Sequence, residues 1–141
     1  MPHSSKPSPD TVQMELHQII ISEMAETQYI VLQEVDGERR FPIVIGSAEA
    51  YAIDRRLKGH TNPRPLTHDL LANVIEELGG TMERIEINDL QDHIFYARIH
   101  IRQNGSVVTV DSRPSDAIAL GIATSVPIYV AEHVLADATR D

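Results

Sequence analysis

The sequence has no cysteine, which excludes a disulfide framework, a thiol nucleophile and a metal site built on thiolates. It has no tryptophan either, and aromatic residues make up only 4% of the chain, so a stacking platform for single-stranded nucleic acid is not expected. No apolar run reaches the roughly 18 residues of a membrane-spanning helix, and the N-terminus lacks the apolar region of a signal peptide. We therefore expect a cytoplasmic protein without a membrane partner.

The length and composition predict one folded domain. The chain has 141 residues, and its hydrophobic content of 42% is that of a globular protein that buries a core. Residues 1–11 contain proline, serine and lysine without an apolar run, so we expect a disordered tail there. Residues 12–141 then form the domain that carries the function.

The charge argues against a polyanionic partner, with one local exception. A formal net charge of −9 at pH 7 means that the chain as a whole repels nucleic acid. Residues 55–68, however, contain no acid and include the cations Arg55, Arg56, Lys58 and Arg64. This stretch is either a solvated loop, as short charge clusters often are, or a positive rim that binds phosphate groups.

Apolar and β-branched runs predict three strands in each half of the chain, at residues 16–21, 29–35, 39–45, 84–90, 94–101 and 107–111. Asp36-Gly37 and Asn104-Gly105 predict two-residue hairpin turns inside these groups. Pro42 has no N–H to donate to a ladder, so it marks an edge or a bulge in the third strand. One more short strand is predicted at residues 127–130.

Three main helices are predicted, two after the third strand and one after the sixth. The first begins at a Ser47 cap and buries Ala50, Ile53 and Leu57. The second begins at a Thr67 cap and has the clearest helical periodicity of the chain, with apolar residues at 70, 71, 74, 75 and 78 ahead of a Gly-Gly pair at 79–80.

The third helix has Pro114 near its first turn, where the missing N–H costs nothing. Small residues on its packing face would let it lie close against a sheet. The resulting order βββ-αα-βββ-α-β lacks the regular alternation of a doubly wound fold. It therefore predicts an α+β domain with a mostly antiparallel or mixed sheet whose strand order stays open.

Two segments share a pattern, RPLTHDLL at 64–71 and DSRPSDAIAL at 111–120. Each puts Arg-Pro, a hydroxyl residue and an aspartate just before an apolar run with helical spacing. Each is therefore a predicted helix start, where free backbone N–H groups can hold an anion such as phosphate. We expect the starts of the second and third helices to face each other across a common pocket.

These two segments, together with FPIVIG at 41–46 and PIYV at 127–130, resemble the bifunctional nuclease family of small bacterial and plant domains. The resemblance covers about residues 12 to 135. It implies the family's fold and its reaction class, which is hydrolysis of phosphodiester bonds in both DNA and RNA. Nucleic acid is then the expected substrate, cleaved without sequence preference.

Nuclease chemistry needs an activated water and stabilisation of charge on the phosphate, usually by divalent cations that carboxylates hold. Magnesium prefers oxygen ligands, so the candidates are Asp69, Asp111 and Asp116, with Asp111 and Asp116 as the predicted metal ligands. His68 is the predicted general base or acid, because imidazole titrates near neutral pH. Glu49 and Asp54, on the first helix, are weaker candidates.

The same residues also fit structural roles. Asp69 and Asp116 are first-turn acids that would stabilise a helix dipole without any metal. Arg64 and Arg113 precede prolines, which restrict the backbone and can aim a guanidinium at a phosphate, but either can instead form an internal ion pair. Ser115 is predicted to bind phosphate beside Arg113, with helix capping as its alternative role.

The overall acidity favours a second, non-enzymatic reading. In it the chain is an oligomeric regulatory module that binds an anionic ligand or a protein partner. Edge strands of a small α+β domain are ready pairing surfaces, so a homodimer or higher homo-oligomer is expected in either case. Cleavage of nucleic acid, as opposed to binding alone, distinguishes the two functions.

Overall fold

Strands and helices follow each other in the predicted order, with one further helix at the end. The computed structural model describes residues 6–24 and 27–140. The strands are β1 (Thr11–Ile20), β2 (Gln28–Glu34), β3 (Arg40–Ile45), β4 (Thr81–Gln91), β5 (Ile94–Gln103), β6 (Ser106–Ser112) and β7 (Ile128–Ala131). The helices are α1 (Ser47–Leu57), α2 (Thr67–Glu77), α3 (Pro114–Gly121) and α4 (Glu132–Ala138). The predicted α+β class is confirmed.

The sheet joins two antiparallel three-stranded units through its shortest strand. Its order is β3-β2-β1-β7-β4-β5-β6. The strand β7 pairs antiparallel with β1 and parallel with β4, so the sheet is mixed. Val130 in β7 is fully buried, as expected for a central strand. Pro42 lies in β3, which is an edge strand of the sheet, as its missing N–H predicted.

The turns of the sheet differ in how well local sequence predicts them. Asn104 and Gly105 both have positive φ, 51° and 79°, and form the predicted hairpin. Asp92 and His93 form a similar turn between β4 and β5, with φ of 50° and 67°, although neither is glycine. The predicted two-residue turn at 36–37 is wrong, because residues 35–39 form a longer loop that Glu34 and Arg39 close.

The third helix lies at the centre of the molecule. Every residue of α3 except Asp116 is buried, and α3 contacts two strands, β4 and β5, and two helices, α1 and α2. A Cβ on Gly121 would stand 2.9 Å from Cβ of Val126 and 3.0 Å from Cδ1 of Ile85. The small residues of this helix therefore permit the close approach that the sequence predicted.

The second helix forms as predicted, over Thr67–Glu77. None of its residues is fully buried, and of its five predicted apolar positions only Ile75 packs against the core. In α1, Ala50 and Ile53 are buried as predicted, whereas Leu57 is exposed. The N-caps of α1 and α2 are Gly46 and Leu66, each one residue before the predicted caps Ser47 and Thr67. Gly79, with φ of +82°, follows the end of α2 as predicted.

The N-terminal tail predicted over residues 1–11 lies partly outside the described residues. Within them, Thr11 already belongs to β1 and pairs with Ala131. The N–H of Thr11 also donates to the carbonyl of Ser8 at 3.1 Å. Among the described helices, none combines the length and apolar character needed to cross a membrane.

Candidate functional site

The starts of α2 and α3 meet at one open cleft of about 1290 Å³. One side of α1 and the end of β6 complete its walls. The acidic, basic and histidine residues of its lining are Glu49, Asp54, Arg55, His60, His68, Asp111, Arg113 and Asp116. The expected common pocket between the second and third helix starts is therefore confirmed. Five residues predicted for catalysis or phosphate binding line it, namely Arg55, His68, Asp111, Arg113 and Asp116.

A histidine–aspartate pair connects the two helix starts. Nε2 of His68 lies 2.9 Å from Oδ1 of Asp116, and the two side chains are 16% and 28% exposed. Because a carboxylate accepts hydrogen bonds, the ring nitrogen that faces it carries the proton in the neutral imidazole. Nδ1 of His68 is then the nitrogen with a free lone pair.

Asp116 also holds Arg113. Nη2 of Arg113 lies 2.8 Å from Oδ2 of Asp116 and 2.9 Å from Oε1 of Glu49. Burial raises the pKa of Asp116, but the hydrogen bonds from His68 and Arg113 outweigh it and leave this pKa below its ordinary value. The carboxylate of Asp116 is therefore ionised at neutral pH and both of its oxygens accept hydrogen bonds.

Asp111 has a different setting. It lies near the end of β6, opposite Arg98 of β5, and is exposed to the cleft. Its carboxylate forms no hydrogen bond or ion pair with the part of the chain that the structure describes. Asp111 is thus available to a ligand, in contrast to Asp116.

Asp111 and Asp116, the predicted metal ligands, do not form a complete metal site by themselves. Among residues 6–24 and 27–140, no group of three or more histidines or acids is placed to hold a metal ion. Magnesium commonly takes only one or two carboxylates and completes its shell with water and substrate phosphate. The available Asp111 fits that mode, whereas Asp116 would first have to release His68 or Arg113.

Asp69 is outside the lining of the cleft. Its carboxylate lies 3.0 Å from Nη1 of Arg55 and 2.5 Å from Nη1 of Arg56, and it accepts the N–H of Leu66 at 3.0 Å. Burial raises the pKa of Asp69, but the bonds from Leu66, Arg56 and Arg55 lower it below its ordinary value. This placement matches the structural alternative, in which Asp69 anchors the start of α2.

Most of the predicted positive rim is engaged inside the molecule. Arg56 donates to the carbonyls of Ala119 and Leu120 at 2.6 and 3.0 Å, and Lys58 pairs with Asp54 at 3.1 Å. Arg64 is exposed and forms no ion pair within the described ranges. The structure therefore corrects the expectation of four cations facing a ligand, since only Arg55 among them lines the cleft.

The structure also corrects the prediction that Ser115 lies in the same phosphate site as His68. Ser115 is buried and lines a different cleft, between β3 and the C-terminal end of the domain, rather than the one that holds His68. Among the residues that the structure describes, Arg113 alone borders both clefts. The hydroxyl of Ser115 is therefore not placed with His68 and Asp116.

The sequence predicted only part of the contribution of α1 to the lining, namely Arg55 and the weaker candidates Glu49 and Asp54. Ala48, Tyr51, Ala52 and Arg55 follow the spacing i, i+3, i+4, i+7, which places them on one face of a helix, and this face lines the cleft. The spacing was visible in the sequence, but nothing local indicated that Ala48, Tyr51 and Ala52 border a ligand site. Thr61 and Asn62, from the loop before α2, also contribute.

Comparison with known proteins shows which family this chain is similar to. The profile of the bifunctional nuclease domain matches residues 30–141. An uncharacterised protein of Mycobacterium tuberculosis is 44% identical over 109 residues, which are 77% of this chain and 65% of that protein. Bifunctional nuclease 2 of Oryza sativa subsp. japonica is 27% identical over 114 residues, 78% of this chain and 35% of that protein.

A second plant relative, bifunctional nuclease 1 of Oryza sativa subsp. indica, is 25% identical over 109 residues, which cover 74% of this chain and 33% of that protein. The chain thus spans less than two thirds of the length of each of these relatives.

Proposed function

Because this chain belongs to the bifunctional nuclease domain family, we propose that it hydrolyses phosphodiester bonds of DNA and RNA, without sequence preference, in the cleft between α2 and α3. The observation that carries this proposal is the pair His68–Asp116 on the wall of that cleft. Family membership supplies the reaction class, and the pair supplies a group able to move a proton.

In this proposal His68 is the general base. Nδ1 of the imidazole takes a proton from the attacking water, and Asp116 holds the ring in the required tautomer and stabilises the imidazolium that forms. Proton transfer by a positioned side chain commonly contributes about 10²- to 10⁴-fold to a rate. Asp116 acts through His68 and is therefore a positioning residue.

Arg113 is the proposed phosphate ligand. Asp116 and Glu49 fix its guanidinium beside the cleft, and its side chain is still 64% exposed. A guanidinium has five donors in a planar fork, so the internal bonds leave donors for the oxygens of a phosphate. Since few other cations face the cleft, substrate binding should depend on a small number of phosphate contacts.

The divalent ion is part of the proposal, with Asp111 as its protein ligand. Bound there together with a substrate phosphate, magnesium would neutralise charge that develops on that phosphate. The support is the carboxylate of Asp111, which no described residue engages. Asp111 and the ion thus complement the proton transfer assigned to His68.

The test is cleavage of plasmid DNA and of RNA by the purified protein, with and without EDTA. Activity should elute with the protein from a sizing column and fall strongly in His68→Gln. His133→Gln is the matched control, because His133 also pairs with an aspartate, Asp89 at 3.5 Å, but lies away from the cleft. Equal cleavage by wild type and His68→Gln would overturn the assignment of the base.

The internal pairing of the rim supports a second candidate function. With Arg55, Arg56 and Lys58 already bound to acids, the cleft also suits a non-enzymatic module that binds one small anionic ligand. Such a module would bind nucleotides or inorganic phosphate and leave both polymers intact. The same cleavage assay, run beside a phosphate-binding measurement, separates the two candidates.

A further inference from the structure

The second helix exposes a row of apolar side chains. Leu66, Leu70, Val74 and Leu78 follow one another at intervals of four residues, and Leu71 lies beside them. These five side chains, the α2 surface, are between 42% and 67% exposed. Scattered exposed apolar residues are normal, but a continuous row on one helix marks an interaction surface.

The helix is also weakly embedded in its own domain. None of its residues is buried, and its main packing partner among the described elements is α3. Helices of this length obtain most of their stability from packing an apolar side against another element. The α2 surface therefore lacks within the described fold the cover that its sequence pattern requires.

We propose that a second copy of this chain covers the α2 surface, in a two-fold symmetric dimer in which the two α2 helices run antiparallel. A row of residues at i, i+4, i+8 is a ridge of the kind that packs against an identical ridge on another helix. A two-fold axis brings the same patch of both copies together, so one self-complementary row is sufficient.

The charges at the two ends of α2 fit this arrangement. Arg64 precedes the helix, and Glu76 and Glu77 are at its end; all three are exposed and form no ion pair within the described ranges. An antiparallel pair of helices brings the start of one beside the end of the other. Arg64 of one copy would then face Glu76 and Glu77 of the other, and the helix dipoles would also attract.

The proposed dimer goes beyond the nuclease assignment but touches the same cleft. Leu66 and Leu71 belong to the α2 surface and also line the cleft, together with the exposed Val110 of edge strand β6. A second copy on α2 would therefore border the open side of the cleft. The edge strands that the sequence indicated are not required for this contact.

The first test is the mass of the protein in solution, measured by sedimentation velocity over a range of concentrations. The wild type should be a dimer and Leu70→Lys a monomer. Leu57→Lys is the matched control, since Leu57 is also a helical leucine, 52% exposed against 56% for Leu70, and lies outside the α2 surface. Circular dichroism and thermal melting establish that each variant is folded.

The second test exchanges charges. Arg64→Glu, or Glu76→Arg combined with Glu77→Arg, should weaken the dimer roughly tenfold, and the triple variant should restore it. Such rescue is specific to a contact between the two ends of α2. A wild type that is monomeric at every concentration, a dimer that persists in Leu70→Lys, or a triple variant without rescue would each overturn the proposal. None of these outcomes depends on nuclease activity.

Discussion

Nε2 of His68 and Oδ1 of Asp116 lie 2.9 Å apart, and this contact joins the first turn of α2 to the first turn of α3. Asp116 in turn holds Arg113, which reaches Glu49 on α1. Three helices therefore meet through one set of hydrogen-bonded side chains. The arrangement fixes the imidazole and the guanidinium beside the same cleft.

We predict that Asp116→Asn lowers kcat by about 10²-fold or more while KM changes less, because an amide can no longer favour the required tautomer and charge of His68. The measurement is kcat and KM for cleavage of a short DNA. Asp89→Asn, beside His133, is the control and should leave both constants unchanged.

Asp111→Asn should weaken magnesium binding without changing the stability of the fold. Because no described residue pairs with this carboxylate, the free energy of unfolding should change little, within about 0.5 kcal/mol. If Asp111 holds the ion, cleavage should require a higher magnesium concentration. A magnesium titration of activity checks this, with Glu38→Gln, an exposed acid in the β2–β3 loop, as the control. An unchanged titration would remove Asp111 from the metal site.

Asp69→Asn, unlike Asp111→Asn, should lower the free energy of unfolding. The change weakens the bonds to Arg55 and Arg56 and to the N–H of Leu66 at the start of α2. Loss of a helix cap and of partly buried charge-assisted bonds predicts a stability loss of roughly 1–3 kcal/mol. Urea denaturation measures it. Stability equal to that of wild type, together with lost cleavage, would instead support a catalytic role for Asp69.

Gly121→Ala tests the close approach of α3 to its neighbours. The added methyl would stand 2.9 Å from Cβ of Val126 and 3.0 Å from Cδ1 of Ile85, which is too close for ordinary contact. Overpacking of this kind costs about 1–3 kcal/mol. Thermal unfolding measures the loss, and the further variant Ile85→Val, which removes the Cδ1 methyl at 3.0 Å, should recover part of it.

The stability of the domain should fall as the pH drops from neutral to about 5, before ordinary carboxyl groups titrate. Burial lowers the pKa of His100 below its ordinary value of 6.5, although a hydrogen bond to Glu86 opposes this. As the pH falls through 6.5, the unfolded chain takes up a proton that the folded protein does not, so the free energy of unfolding decreases. Chemical denaturation at several pH values measures the slope.

His100→Gln should flatten that slope, because the group that titrates differently in the two states is gone. His60→Gln, which replaces an exposed histidine, is the control. A slope that survives in His100→Gln would assign the pH dependence to another group.

Local patterns in the sequence determined the elements of this protein and their order. Alternating apolar residues and the Asn104-Gly105 turn predict strands and a hairpin because these depend on neighbouring residues. Pro114 likewise predicts the start of α3, since its ring suits a first helical turn. The family resemblance also came from short segments of sequence, and the family profile confirms it.

Tertiary structure alone decided which face of each element is covered. The apolar repeat in α2 predicted a helix with one apolar side, but periodicity does not say what covers that side, and within the described fold most of it is exposed. The position of β7 between β1 and β4 depends on pairing between distant parts of the chain.

Tertiary structure also decided which charged side chains pair with each other. Asp69 and Asp116 have equivalent places at two helix starts, yet Asp69 binds Arg55 and Arg56 while Asp116 faces His68 in the cleft. The two acids differ because α1 packs Arg55 and Arg56 against the start of α2 but places Glu49 beside Arg113 at the start of α3. A charge in sequence is free to pair with any neighbour, and only the packing of the helices selects which one.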